Sequence, residues 1–135
     1  MSYAVQGDAI GKLVLRLTLG GLILFHGVAK LLHADAAMGM ITGRVTALGL
    51  PAFVAYGVYV GEVLAPLLLI LGVFSRIGGL LVVVNMIFAL VLVHTGQIFT
   101  LGKTGGWALE LQGFYLLCGL TVLLLGSGKY AVKPD

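Results

Sequence analysis

His26 and Lys30 stand four residues apart in the apolar stretch LILFHGVAKLL, Leu22 to Leu32, so on a helix they share one face. Glu62, His94 and Glu110 interrupt three further apolar runs. Ionisable side chains in such surroundings are rare, and they usually face a bundle interior or a water-filled cavity. Lys30 beside Glu62 or Glu110 would form a charge pair that His26 joins by hydrogen bond. In such a cluster His26, Glu62, His94 and Glu110 can exchange protons, and Lys30 can polarise a carbonyl. Tyr59, Trp107 and Phe114 offer rings against which a flat molecule can pack. Packing glue alone is the plainer role for these pairs, and Lys30 could also snorkel to the interface.

Other chemistries fit less well. Two His and two Glu suit zinc or non-haem iron. Yet no HxxxH or ExxH pair occurs within a run, and Lys30 would repel a cation, so no metal site is assigned. A haem held by His26 and His94 is geometrically open. The chain has no nucleophilic triad, phosphate loop or dinucleotide fingerprint. Its single cysteine, Cys118, excludes an intramolecular disulfide and reads as a small buried hydrophobe. The eight Lys and Arg are scattered, without the basic run that nucleic acid would call for.

The elements that hold these residues follow from composition. Of 135 residues, 60% are apolar and 10% charged, against about 45–50% and about 25% in soluble domains. An integral membrane protein is expected. Apolar runs lie at about 13–32, 52–74, 77–95 and 107–125, each near the ~20 residues that a helix needs to cross ~30 Å of hydrocarbon. The polar start, with Asp8 and no small-residue cleavage site, reads as part of a retained first span and not as a signal peptide. In the link from His33 to Pro51, the positions Ala37, Met38, Ile41, Val45 and Leu48 recur at helical spacing, and Asp35 can cap. A short interfacial or re-entrant helix is expected there, with Pro51 opening the second span. Ser75 and Arg76 read as a tight turn between spans two and three. The expected fold is therefore a single all-α membrane domain: a four-transmembrane-helix bundle with a short interfacial helix between spans one and two.

Orientation and depth follow. Lys12, Arg16, Arg76, Lys129 and Lys133 lie on one side, and Lys30, Arg44 and Lys103 on the other, which puts both termini in the cytoplasm. Arg16 and Arg76 then mark the inner ends as topology anchors or anionic-lipid contacts. His26, Lys30, His94 and Glu110 lie in the outer half, and Glu62 lies nearer the midplane. Arg16, His26 and Lys30 fall within about 80° of one another at ~100° per residue. Asn85 and His94 point to opposite sides, as do Glu110 and Gln112. RLTLGGLILFH and SRIGGLLVVV share an Arg and Gly-Gly order that suggests a faint internal repeat.

RLTLGGLILFHGVAKL, GEVLAPLLLILGVFSRIGGLLVVVNM, VHTGQ and GGWALELQGFYLLCGLTVLLLGSGKY resemble the DoxX family of four-helix bacterial membrane proteins. The matching positions are Arg16, His26, Gly27, Lys30, Glu62, Gly72, Arg76, Glu110, Gly126 and Gly128. The resemblance implies a bacterial inner-membrane protein. It also implies association with redox systems: relatives include a subunit associated with thiosulfate:quinone oxidoreductase. A quinone-linked membrane subunit, with quinone as the cofactor and His26, Glu62 and Glu110 as its proton-handling residues, is the leading expectation. Lys30, His94, Tyr59, Trp107 and Phe114 would then bind the ligand. Nothing in the chain carries electrons, so a protein partner is expected, and Gly-rich faces would permit a homo-oligomer. The alternatives are a non-catalytic anchor or assembly partner of a soluble oxidoreductase, and a small proton-coupled transporter. The anchor would make its contact through the 35–51 link or the removable tail 129–135.

Overall fold

The computed structural model describes residues 3–135. Helix α1 runs Tyr3–Leu32 and starts ten residues before the first apolar run. No glycine–proline breaker intervenes there, and an Asp8–Lys12 pair at 2.8 Å supports the polar turns. A single residue, His33, breaks the chain before α2, Ala34–Ala47. The interfacial helix is thus present, but Asp35 does not cap it. His33 holds the capping position without a side-chain bond, and Asp35 sits in the first turn, where its charge complements the helix dipole. Ile41 and Val45 of α2 pack on Ala55, flanked by Met38, Val54, Val58 and Leu92.

Helix α3, Ala52–Leu71, is a composite. A 3-10 turn over Ala52–Tyr56, a short α turn and a π turn over Val60–Leu64 precede regular helix over Ala65–Leu71. It stops at Gly72, whose φ of 76° is left-handed, a conformation that glycine adopts without a Cβ penalty. The tight turn is therefore Gly72–Phe74. Ser75 and Arg76 already belong to α4, Ser75–Leu92, so the bend begins three residues before the expected one. Helix α5 is Glu110–Leu125. Residues 107–109, expected within the last span, instead lie in the loop, where Leu101 and Trp107 form an isolated bridge.

Three helices, α1, α3 and α4, are long and apolar enough to cross a membrane. Helix α5 is apolar but has only 16 residues, about 24 Å of helix against ~30 Å of hydrocarbon. The core joins all four: Leu19 and Ile23, Ala65 and Leu69, Val82 and Met86, Tyr115 and Val122. Helices α4 and α5 pack most closely. Gly79 and Gly119 meet there, and a Cβ on either would run into the other's carbonyl, so only small residues allow this approach.

The two arginines do parallel work at one end of the bundle. Arg16 is buried to 1% exposure; it donates to Leu69 O at 3.2 Å and to Tyr130 O. Arg76 donates to Leu123 O at 2.9 Å and Leu124 O at 3.0 Å. Each thus satisfies carbonyls that a helix C-terminus leaves without partners. Arg16 serves α3 and Arg76 serves α5, just before Gly72 and Gly126, both of positive φ. Arg16 is accordingly a buried strut and not a surface anchor. The tail belongs to the same end: Val132 N donates to Leu71 O at 3.0 Å, Lys133 N to Gly72 O at 3.0 Å, and Arg76 N to the Asp135 carboxylate at 3.0 Å. It is part of the packing, so removing it would disturb the ends of α3 and α4. Replacing Arg16 by Gln should cost roughly 3–6 kcal/mol, the scale of two hydrogen bonds from a charged donor. The check is a lower thermal midpoint in detergent together with faster tryptic cutting at Lys129 and Lys133.

Candidate functional site

Glu62 owes its position to Pro66. In a regular helix the N–H of residue 66 would bond the carbonyl of residue 62, but proline has no N–H and crowds that carbonyl. The chain answers with the π turn, in which Ala65 N donates to Val60 O, five residues back. Such single π turns often accompany functional positions. The released Glu62 carbonyl packs against Gly27 of α1, where any Cβ would collide with it. Gly61 does the same for the Asn85 side chain of α4. Two glycines therefore let α1 and α4 close on the one turn of α3 that carries a carboxylate.

That carboxylate is 7% exposed and doubly engaged. Lys30 Nζ lies 2.6 Å from Glu62 Oε1, and Asn85 Nδ2 donates to Oε2 at 3.5 Å. Tyr59 OH donates to Lys30 O at 3.3 Å, satisfying a carbonyl in the last turn of α1. An ammonium has three donors, and Glu62 takes one of Lys30's.

The pair lies between two chambers. One, of about 410 Å³, is enclosed by α2, α3 and α4. Its walls are apolar, with Ile41, Val45, Val58, Leu81 and Phe88 among them, and Lys30, Glu62, Asn85 and His94 form its polar spot. The other, of about 190 Å³, lies between α1, α4 and α5 and is lined by His26, Gln112, Tyr115 and His94, with the same Lys30 and Glu62. The His26 ring meets Tyr115 edge-on, centroids 6.1 Å apart. His94 Nδ1 lies 2.6 Å from Gln97 Oε1.

The expected residues divide accordingly. Lys30, Glu62, His26 and His94 line one chamber or both. Tyr59 stands behind Lys30. Glu110 opens α5 in an exposed position beside Gly106, Trp107 donates from the loop to Ile98 O at 2.7 Å, and Phe114 is 69% exposed; none of these three lines either chamber. Asn85 and His94 were expected on opposite sides, yet both face the larger chamber. Helix α4 ends at Leu92, and His94 sits in a non-helical conformation, so helical angles do not apply to it. Asn85, Gln112, Tyr115 and Phe88 were not picked out as site residues. The amides among them were visible as lone polar groups in apolar runs. Among the described residues, no three His, Cys, Asp or Glu side chains converge as a metal site would require.

A helical membrane protein with a part-buried lysine–glutamate pair set between two chambers is the class that fold and site define. The chain belongs to the DoxX family, whose model matches residues 11–95. It is similar to an uncharacterized protein of Haemophilus influenzae, 32% identical over 121 residues, which make up 87% of this chain and 84% of that protein. A Bacillus subtilis protein named "Putative oxidoreductase CatD" is 28% identical over 125 residues, 93% of this chain and 86% of its own. No solved structure gives a significant match.

Glu62 is the buried member of the pair, so removing Lys30 strands a buried charge. Lys30→Met and Glu62→Gln should each lower stability, whereas the double variant should cost less than their sum. A coupling of roughly 1–3 kcal/mol is expected, as for contacting residues, read from denaturation in detergent as a double-mutant cycle.

Proposed function

We propose that the chain is a quinone-linked membrane subunit of a redox system, with the Lys30–Glu62 pair as the head-group site. The observation that carries this reading is the larger chamber: an apolar space of about 410 Å³ whose polar groups gather at one spot. A ligand pocket of ordinary size with a few convergent polar groups suits a ring that is apolar on its faces and polar at its carbonyls. A quinone carbonyl accepts from a spare Lys30 N–H, and the hydroxyl of the reduced form donates to Glu62. Phe88 lines the chamber as a ring for stacking. The mouth is framed by Met40, Val60, Val84 and Phe88, all more than two-fifths exposed. Such a rim faces acyl chains, so the ligand is one that dissolves in the bilayer. The printed name of the Bacillus subtilis relative points the same way.

The chain has no electron carrier of its own, so a partner oxidoreductase supplies or takes the electrons. The arrangement we favour is one domain over residues 1–135 in a bacterial inner membrane, with α5 as a fourth, short span and both termini cytoplasmic by the distribution of Lys and Arg. His26 and His94 serve as proton-exchanging neighbours of Glu62. The docked tail counts against the anchor reading in which the tail is a free contact arm.

Decylubiquinone titrated into nanodisc-embedded protein tests the reading. Saturable binding that weakens at least tenfold in Lys30→Met and Glu62→Gln, with both variants still folded, is the expected result. Absence of binding, or equal binding by all three proteins, would refute it.

A further inference from the structure

The smaller chamber has a composition that the ligand reading does not require. Its 190 Å³ would hold several waters, at about 30 Å³ each. Its lining offers the two to four polar partners that each water needs: His26, Gln112 and Tyr115 on one side, His94 and the ion pair on the other. Its depth is graded. Gln112 lies in the first turn of α5, and His94 lies two residues past the end of α4, so this end reaches the level of the connecting loop. Tyr115 and Met86 lie deeper, at 6% exposure each. Glu62 lines this chamber as well as the apolar one.

We propose that the smaller chamber is a water-filled proton route, so that Glu62 meets its apolar ligand from one side and solvent protons from the other. The step is proton exchange alone. An O–H bond forms at a Glu62 carboxylate oxygen as one breaks at the adjoining water, that water takes a proton in turn from the next water toward solvent, and the net change is one proton moved from solvent to Glu62 with no electrons transferred. The groups facing this path are His26 and Lys30 from α1, His94 just past the end of α4, and Tyr115 with the neutral Gln112 from α5; the neutral Asn85 of α4 reaches Glu62 from the larger chamber. The arrangement separates two needs that conflict in one cavity. A dry wall holds an apolar ring, while a proton on a buried carboxylate needs a chain of hydrogen-bonding partners. The proton role rests on the quinone reading of Glu62; the hydration of the chamber does not.

Two methionines make the test internal to the protein. Met86 lines the smaller chamber and Met40 the larger one. By exposure alone Met40, at 49%, should react far faster with water-borne radicals than Met86, at 6%. Hydroxyl-radical footprinting of the nanodisc-embedded protein, read by mass spectrometry, should reverse that order, with Met86 oxidised at least threefold faster. The Gln112→Leu variant, which places an apolar side chain at the mouth, should slow Met86 oxidation severalfold and leave Met40 unchanged. In the same variant, hydrogen–deuterium exchange of the Lys30 ammonium, whose signal is assigned by its loss in Lys30→Met, should slow at least tenfold. Met86 protected at or below Met40, or ammonium exchange unaffected by Gln112→Leu, would overturn the proposal. Failure of decylubiquinone to bind while Met86 remains reactive would overturn the quinone reading and leave the water route standing.

Discussion

The constraint on which the rest depends is a carboxylate held inside a membrane bundle. An isolated ionised group there carries a large desolvation penalty, so Glu62 must have both a counter-charge and hydrogen bonds. Lys30 supplies the first at 2.6 Å, and Asn85 adds to the second. Neither could arrive without backbone adjustment. Pro66 forces the π turn, and the glycines at 27 and 61 let the flanking helices close on it. Five residues scattered over α1, α3 and α4 thus serve one oxygen pair.

The opposite end of the bundle carries a different polar load and shows how the scaffold tolerates it. Arg16 and Arg76 are spent on helix C-terminal carbonyls and on the tail. Every helix end in a membrane leaves backbone groups that lipid cannot satisfy, and a guanidinium reaches several at once. With those ends tied, and with α4 and α5 in close contact at Gly79 and Gly119, the chambers open in the other half of the bundle. Structural charges and site charges are therefore separated along the helix axes.

Much of this was legible in the residues. The apolar runs marked the helices, the helical spacing in the first link marked α2, and the lone charges within runs marked Lys30 as the partner of Glu62 or Glu110. What was hidden has physical causes. Helix α1 begins in polar residues because a helix outside the hydrocarbon needs no apolar run. Gly72 moved the bend away from Ser75 and Arg76 because a left-handed residue ends a helix more decisively than a polar one. His94 joined Asn85 because α4 stops short of it, and periodicity says nothing beyond a helix end. Glu110 was expected in the cluster, but α5 starts there, and its carboxylate lies beside Gly106 of the preceding loop. Arg16 resembled an interface anchor because sequence position gives depth and not burial.

The central claim is that the Lys30–Glu62 pair belongs to a chamber that holds a bilayer-soluble ligand. Native mass spectrometry of the protein extracted from its own membrane in mild detergent tests it most directly. The account predicts a retained small lipophilic mass in the quinone range, absent when Lys30→Met and Glu62→Gln are combined. A chain that carries only phospholipid or a protein partner, identically in wild type and double variant, would contradict the claim and leave the pair as a packing strut.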